Sequence, residues 1–134
     1  MTTVLFACVH NAGRSQMAAA WFNRLADSTK AHALSAGTQP GTRVHAEVVE
    51  AMSEVGVDLA DATPTRLTDE LASQSQLLIT MGCGDDCPFV PGVARDDWPL
   101  DDPKGKSLDE VRIIRDEIRD RVRRLIEREA WASL

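Results

Sequence analysis

Short apolar runs alternate four times with segments of helical period along these 134 residues, and that alternation leaves few architectures open. Residues 3–8 (TVLFAC) form a β-rich run, and residues 15–27 place Met17, Ala20, Trp21 and Leu25 at helical spacing. A second short strand over 31–37 precedes a helix over 42–56, with Val44, Val48, Met52 and Val55 on one face and Gly56 as its stop. Thr68 is an N-cap signal for a short helix over 67–74, which leads into an apolar run over 75–81. Residues 82–92 (GCGDDCPFVPG) read as loop, 94–98 as a fourth strand and 99–107 as a second loop. The longest helix spans 108–131, with Leu108, Val111, Ile114, Ile118, Val122, Leu125 and Ile126 facing in. Strands joined by helical crossovers run parallel. The predicted fold is therefore α/β, a four-stranded parallel sheet with helices on both faces in a Rossmann-like three-layer arrangement, forming one domain over 1–134.

In such a fold ligands sit at the carboxyl ends of the strands. The loops after the first, third and fourth strands hold Cys8, Cys83 with Cys87, and Asp102, so topology alone draws these residues toward one rim. Three cysteines are too few and of the wrong parity for a disulfide framework, and Cys83 and Cys87 flank a Gly-rich segment that offers little core to fill. A net charge of −6 opposes binding to a phosphate backbone, and no dense basic patch outside the last helix offsets it. No apolar run is long enough for a membrane span, and the N-terminal residues lack a basic region and cleavage site. The expectation is a cytoplasmic monomer with no nucleic-acid or membrane partner.

The segment CVHNAGRS, residues 8–15, carries the chemistry. A cysteine, five residues, then Arg14 and Ser15 at a helix start is a spacing that lets the backbone N–H groups of Val9, His10, Asn11, Ala12, Gly13 and Arg14 curl around a tetrahedral oxyanion. The forked Arg14 guanidinium then clamps two of its oxygens. The same positive surroundings favour Cys8 as a thiolate, and a thiolate is a nucleophile. Gly13 is expected to supply a backbone conformation that side chains resist, and Asn11 to occupy a left-handed position. Ser15 is expected to cap the helix and donate to the sulfur. His10 reads as a solvated loop residue rather than a base.

CVHNAGRS resembles the phosphate-binding loop of the low-molecular-weight protein tyrosine phosphatase fold, and SAG at 35–37 and DDP at 101–103 are similar to that family's other landmarks. Within the fold, ITMGCGDDCPFVPG and DDWPLDDPKG look like the thioredoxin-coupled arsenate reductases. The resemblance implies Cys8 as nucleophile, Arg14 as oxyanion clamp, Ser15 as thiolate stabiliser, Asp102 as the acid before Pro103, and Asn11 and Ser35 as residues that fix the loop. It further implies that arsenate is reduced to arsenite through a disulfide relay over Cys83 and Cys87, with thioredoxin or another thiol reductant restoring the thiols. Phosphate and sulfate would be competing anions. No cofactor and no metal is expected, and Ala19 stands where some reductases carry a glutamate that helps bind potassium. The spacing between Cys83 and Cys87 is shorter than in many relatives. The alternative reading is a phosphatase acting on phosphate monoesters, which needs Cys8, Arg14 and Asp102 but gives Cys83 and Cys87 no task. A non-catalytic module holding a soft metal or arsenite on three thiolates would leave Arg14 unexplained.

Overall fold

The four strands lie in the order β2-β1-β3-β4, all parallel, in a computed structural model that describes residues 1–82 and 90–132. The strands are β1 (Thr2–Cys8), β2 (Ala31–Gly37), β3 (Leu77–Thr80) and β4 (Ala94–Asp97). Register aligns their carboxyl ends: Cys8 pairs with Gly37, Ala7 with Thr80, and Thr80 with Asp97. One rim of the sheet thus gathers the starts of all the loops that the sequence marks as chemical.

β1 is central, and its alternate residues serve different layers. Val4, Phe6 and Cys8 face the larger core, which they share with α1 (Arg14–Leu25), α2 (Ala46–Glu54) and α4 (Leu108–Arg128). Leu5 and Ala7 face a smaller cluster with Ala36, Leu78 and Ala72 of the short helix α3 (Asp69–Ser73). Phe6, Phe22, Met52 and Ile118 are wholly buried, each contributing about 1.5–3 kcal/mol of apolar transfer. Trp98, just past β4, leans on Phe6 at a ring separation of 5.5 Å and closes the core beneath the rim.

Several element boundaries differ from the sequence expectation. α2 begins at Ala46 rather than near residue 42, because the preceding backbone is engaged elsewhere: Gln39 N–H donates to Val9 O, Gly41 N–H to His10 O and His45 N–H to Ala12 O, at 2.8, 2.9 and 2.9 Å. Val44 is buried nonetheless, from an extended position. α4 stops at Arg128, since Ala130 takes a left-handed φ of 59° and turns Trp131 back against Phe22 at 5.7 Å. β3 is limited to four residues.

α4 starts on a complete capping box, with Ser107 Oγ accepting from Glu110 N–H and the Glu110 carboxylate accepting from Ser107 N–H. It is clamped to the end of α2 through Glu54, which takes Arg112 at 2.6 Å and Arg115 at 2.9 Å, while Arg115 also donates to Ala51 O. Hydrogen bonds from Arg112 and then Arg115 pull the Glu54 carboxyl down to about 2. Among the described residues no helix is long and apolar enough to cross a membrane.

Candidate active site

Cys8 is the last residue of β1 and only 2% exposed, and two donors reach its sulfur. Asn11 N–H lies 3.2 Å from Sγ and Ser15 Oγ lies 2.8 Å from it. Asn11 fixes the surroundings of the Ser15 hydroxyl. Its Oδ1 accepts from the Thr65 backbone N–H at 2.8 Å, a donor with no alternative role, which fixes the amide so that Nδ2 donates to Ser15 Oγ at 2.6 Å. The Ser15 hydroxyl, accepting from Asn11, keeps its own proton available for a sulfur anion at Cys8.

Asn11 holds this arrangement with φ of 50° in the left-handed region, as its short polar side chain suits. Its amide oxygen also accepts from Gln16 Nε2 at 3.1 Å, and Gln16 reaches the Asn11 carbonyl at 3.2 Å. Asn11 and Ser15 are wholly buried.

One sequence expectation about this loop is corrected. Ser15 does not cap α1; Gly13 occupies the N-cap with no side-chain hydrogen bond, and Ser15 sits inside the first turn. Gly13 takes φ −147° and ψ −90°, outside the β and right-handed helical regions open to residues with a Cβ, and space demands glycine here as well. A Cβ there would lie 2.5 Å from Cγ of Pro103. Gly37 is likewise demanded by contact, since a Cβ would lie 2.6 Å from Val9 O and 2.8 Å from Asn11 N. His10 is partly buried and hydrogen-bonded, with Nδ1 3.0 Å from Gln39 O.

Arg14 opens α1 and is 7% exposed. Its Nη1 donates to Leu100 O at 3.1 Å, and its Nη2 lies 3.7 Å from Asp102 Oδ2. The Asp102 side chain is 45% exposed, with Oδ1 accepting from Lys104 N–H at 3.0 Å. Gly82, two residues beyond β3, takes φ of 96° and passes so close to the guanidinium that any Cβ would strike Arg14 Nη1. Cys8, Asn11, Arg14, Ser15 and Asp102 are thus brought together around one opening. Ser35, on β2, pairs with Phe6 of β1 and lines a separate cavity with Gln16 and Thr65; among the described residues it makes no hydrogen bond to the loop. Cys83 and Cys87 lie outside the described residues, which contain no group of three or more His, Cys, Asp or Glu fit to hold a metal ion.

The description that matches this chain, over residues 3–132, is the low molecular weight phosphotyrosine protein phosphatase. The chain belongs to that family. Within it, a Halobacterium salinarum protein provisionally named as an arsenate reductase is 46% identical over 124 residues, covering 87% of this chain and 85% of its own. A thioredoxin-dependent arsenate reductase of Corynebacterium glutamicum superposes with a TM-score of 0.81 at 42% identity, over 95% of this chain and 61% of that longer one. An arsenate reductase of Archaeoglobus fulgidus gives 0.79 at 32% identity, over 92% and 98%.

As a member of this phosphatase family, the chain builds its loop partly from residues that sequence reading passes over. Gln16, Thr65 and Gly37 hold Asn11 and its neighbours, yet only the SAG motif hinted at the last. Thr65 acts through its backbone, which leaves no sequence signal at all. Gly82 had one: a glycine directly after an apolar strand is a place where something approaches closely.

Proposed function

We propose that the protein reduces arsenate to arsenite, with Cys8 as nucleophile and Cys83 and Cys87 as the relay that supplies the electrons. The observation that carries the reading is the donor set on Cys8: Ser15 and Asn11 N–H both stabilise a sulfur anion, in a loop whose helix start and Arg14 favour an oxyanion above it. Arsenate seated there is attacked by Cys8 Sγ. A sulfur–arsenic bond forms, an arsenic–oxygen bond breaks, and Asp102 gives its proton to the departing oxygen, which leaves as water. The half-exposed Asp102 stands beside Arg14, on the open side of the loop, where such a proton is needed.

Cys83 thiolate then attacks Cys8 Sγ. The sulfur–arsenic pair passes to arsenic, which falls from the +5 to the +3 state and leaves as arsenite, while a Cys8–Cys83 disulfide forms. Attack of Cys87 on Cys83 frees Cys8 and leaves a Cys83–Cys87 disulfide for an external dithiol such as thioredoxin. Two thiols lose two electrons, so the balance closes without a cofactor. The close passage of Gly82 under Arg14 supports this order, because the next residue in the chain is Cys83. The names of relatives at 32–46% identity point the same way. Phosphate and sulfate compete for the loop, and the enzyme works as a cytoplasmic monomer of one domain.

A single-turnover assay with peptide mapping tests the reading. Cys87→Ser should release one arsenite per enzyme and trap a Cys8–Cys83 disulfide, whereas Cys83→Ser should release far less. Rapid hydrolysis of a phosphate monoester by all three forms, with no arsenite from the wild type, would instead establish the phosphatase reading.

A further inference from the structure

A cavity of about 240 Å³ opens directly beside the anion loop. His10 and Ala12 of the loop form one wall, Arg43 and His45 from the segment before α2 a second, and Lys104 from behind Asp102 a third. No acidic side chain lines it, although the chain as a whole carries a net charge of −6. Arg43 and Lys104 are exposed, and neither joins an ion pair among the described residues.

The walls are fixed relative to the anion loop by backbone bonds. Gly41 N–H donates to His10 O, His45 N–H donates to Ala12 O, and Lys104 N–H donates to Asp102 Oδ1. His10 is oriented as well: a carbonyl oxygen only accepts, so Nδ1 carries the proton given to Gln39 O. Ala12 therefore belongs at once to the loop that would curl round an oxyanion and to the wall of the neighbouring pocket. A bare tetrahedral anion in the loop would leave this cationic pocket unused.

We propose that the pocket is a second anion subsite, which takes the further charged group of a ligand whose first oxyanion occupies the Cys8–Arg14 loop. The ligand class is a phosphate or arsenate bearing a second anionic group, of which pyrophosphate is the simplest. This rests on the anion-loop reading above. Two cations on separate segments, with no carboxylate between them, favour two negative oxygens at once and gain nothing from a lone phosphate held by the loop.

Calorimetric titration of pyrophosphate and of inorganic phosphate, at one ionic strength, tests it on the wild type and on an Arg43→Ser, Lys104→Ser double variant. Pyrophosphate should bind the wild type about tenfold more tightly than phosphate, a preference of the size expected from two partly exposed ion contacts. The double variant should lose that preference while its phosphate affinity stays within about twofold, and Arg43→Lys should retain most of it. Equal losses for both anions would mean a general field effect and would overturn the subsite, as would no loss for either. If phosphate binds the wild type and pyrophosphate gains nothing, the subsite alone falls. Should phosphate fail to bind the wild type, the anion-loop reading falls and takes the subsite with it.

Discussion

The two loops that face each other across the opening are built in contrasting ways. Between Cys8 and Ser15 the chain is largely buried and cross-tied, with Asn11 alone engaging Thr65, Gln16, Ser15 and Cys8. The loop over 99–107 is mostly exposed and touches its opposite through little more than Leu100 O on Arg14, Pro103 against Gly13, and Asp102 at 3.7 Å from the guanidinium. The thiol is thus preorganised before any ligand arrives, while the carboxyl is only brought near. Preorganisation at the proposed nucleophile costs nothing at the moment of reaction. In its proposed role as acid, the exposed Asp102 keeps freedom to meet a departing oxygen and to exchange protons with water.

If that contrast is right, removing the buried guanidinium of the rigid side should cost more than removing the carboxyl of the open one. Arg14→Lys removes the planar fork from the buried side and should lower kcat/KM for arsenate by about 10²–10³ with little change in melting temperature. Asp102→Asn should slow arsenic transfer by about 10², read as the initial rate of arsenite release, whereas Asp101→Asn should stay near wild type. Equal losses in the two aspartate variants would show that the acid is misassigned. Gly13→Ala drives a methyl into Pro103 and so parts the two loops; it should destabilise by about 1–3 kcal/mol, seen as a lower urea midpoint, and slow turnover by about tenfold.

The smallest effect lies away from the site, at the clamp between α2 and α4. Glu54 is held at about 2, below its ordinary 4.5, by Arg112 and Arg115. A carboxyl lowered on folding contributes stability that is fully present above the unfolded value and is lost as pH falls through the folded one. Glu54→Gln should therefore lower the urea midpoint slightly at pH 7, with the difference from wild type shrinking between about pH 4.5 and 2. A difference that grew on acidification would remove the clamp from the account.

Much of this architecture is legible in the sequence because it depends on local pattern. The apolar run ending at Cys8, the helix carrying Met17 and Trp21, and the stripe from Val111 to Ile126 announce themselves by period, and parallel crossovers then fix the rim. What stays hidden depends on backbone meeting backbone. The late start of α2 follows from Gly41 and His45 bonding to His10 and Ala12, a long-range pairing with no compositional trace. Gly13 in its loop and Gly37 at a strand end give no sequence sign of their neighbours, yet one yields to a proline ring from residue 103 and the other to the carbonyl of residue 9. Ser15 was legible as a partner of the sulfur but not as an interior helical residue, because the helix N-cap falls two residues earlier, on Gly13. Cys83 and Cys87, singled out by their spacing, lie outside the described residues.

The central claim is that Cys8 sits beneath a loop made for a tetrahedral oxyanion. The rate at which iodoacetamide alkylates Cys8 in a Cys83→Ser, Cys87→Ser background, followed against rising phosphate or sulfate at constant ionic strength, addresses it most directly. The account predicts a saturable fall in that rate, at least tenfold at full occupancy by the mass-action relation, that Arg14→Lys weakens. An alkylation rate that stays unchanged at high anion concentration would contradict it.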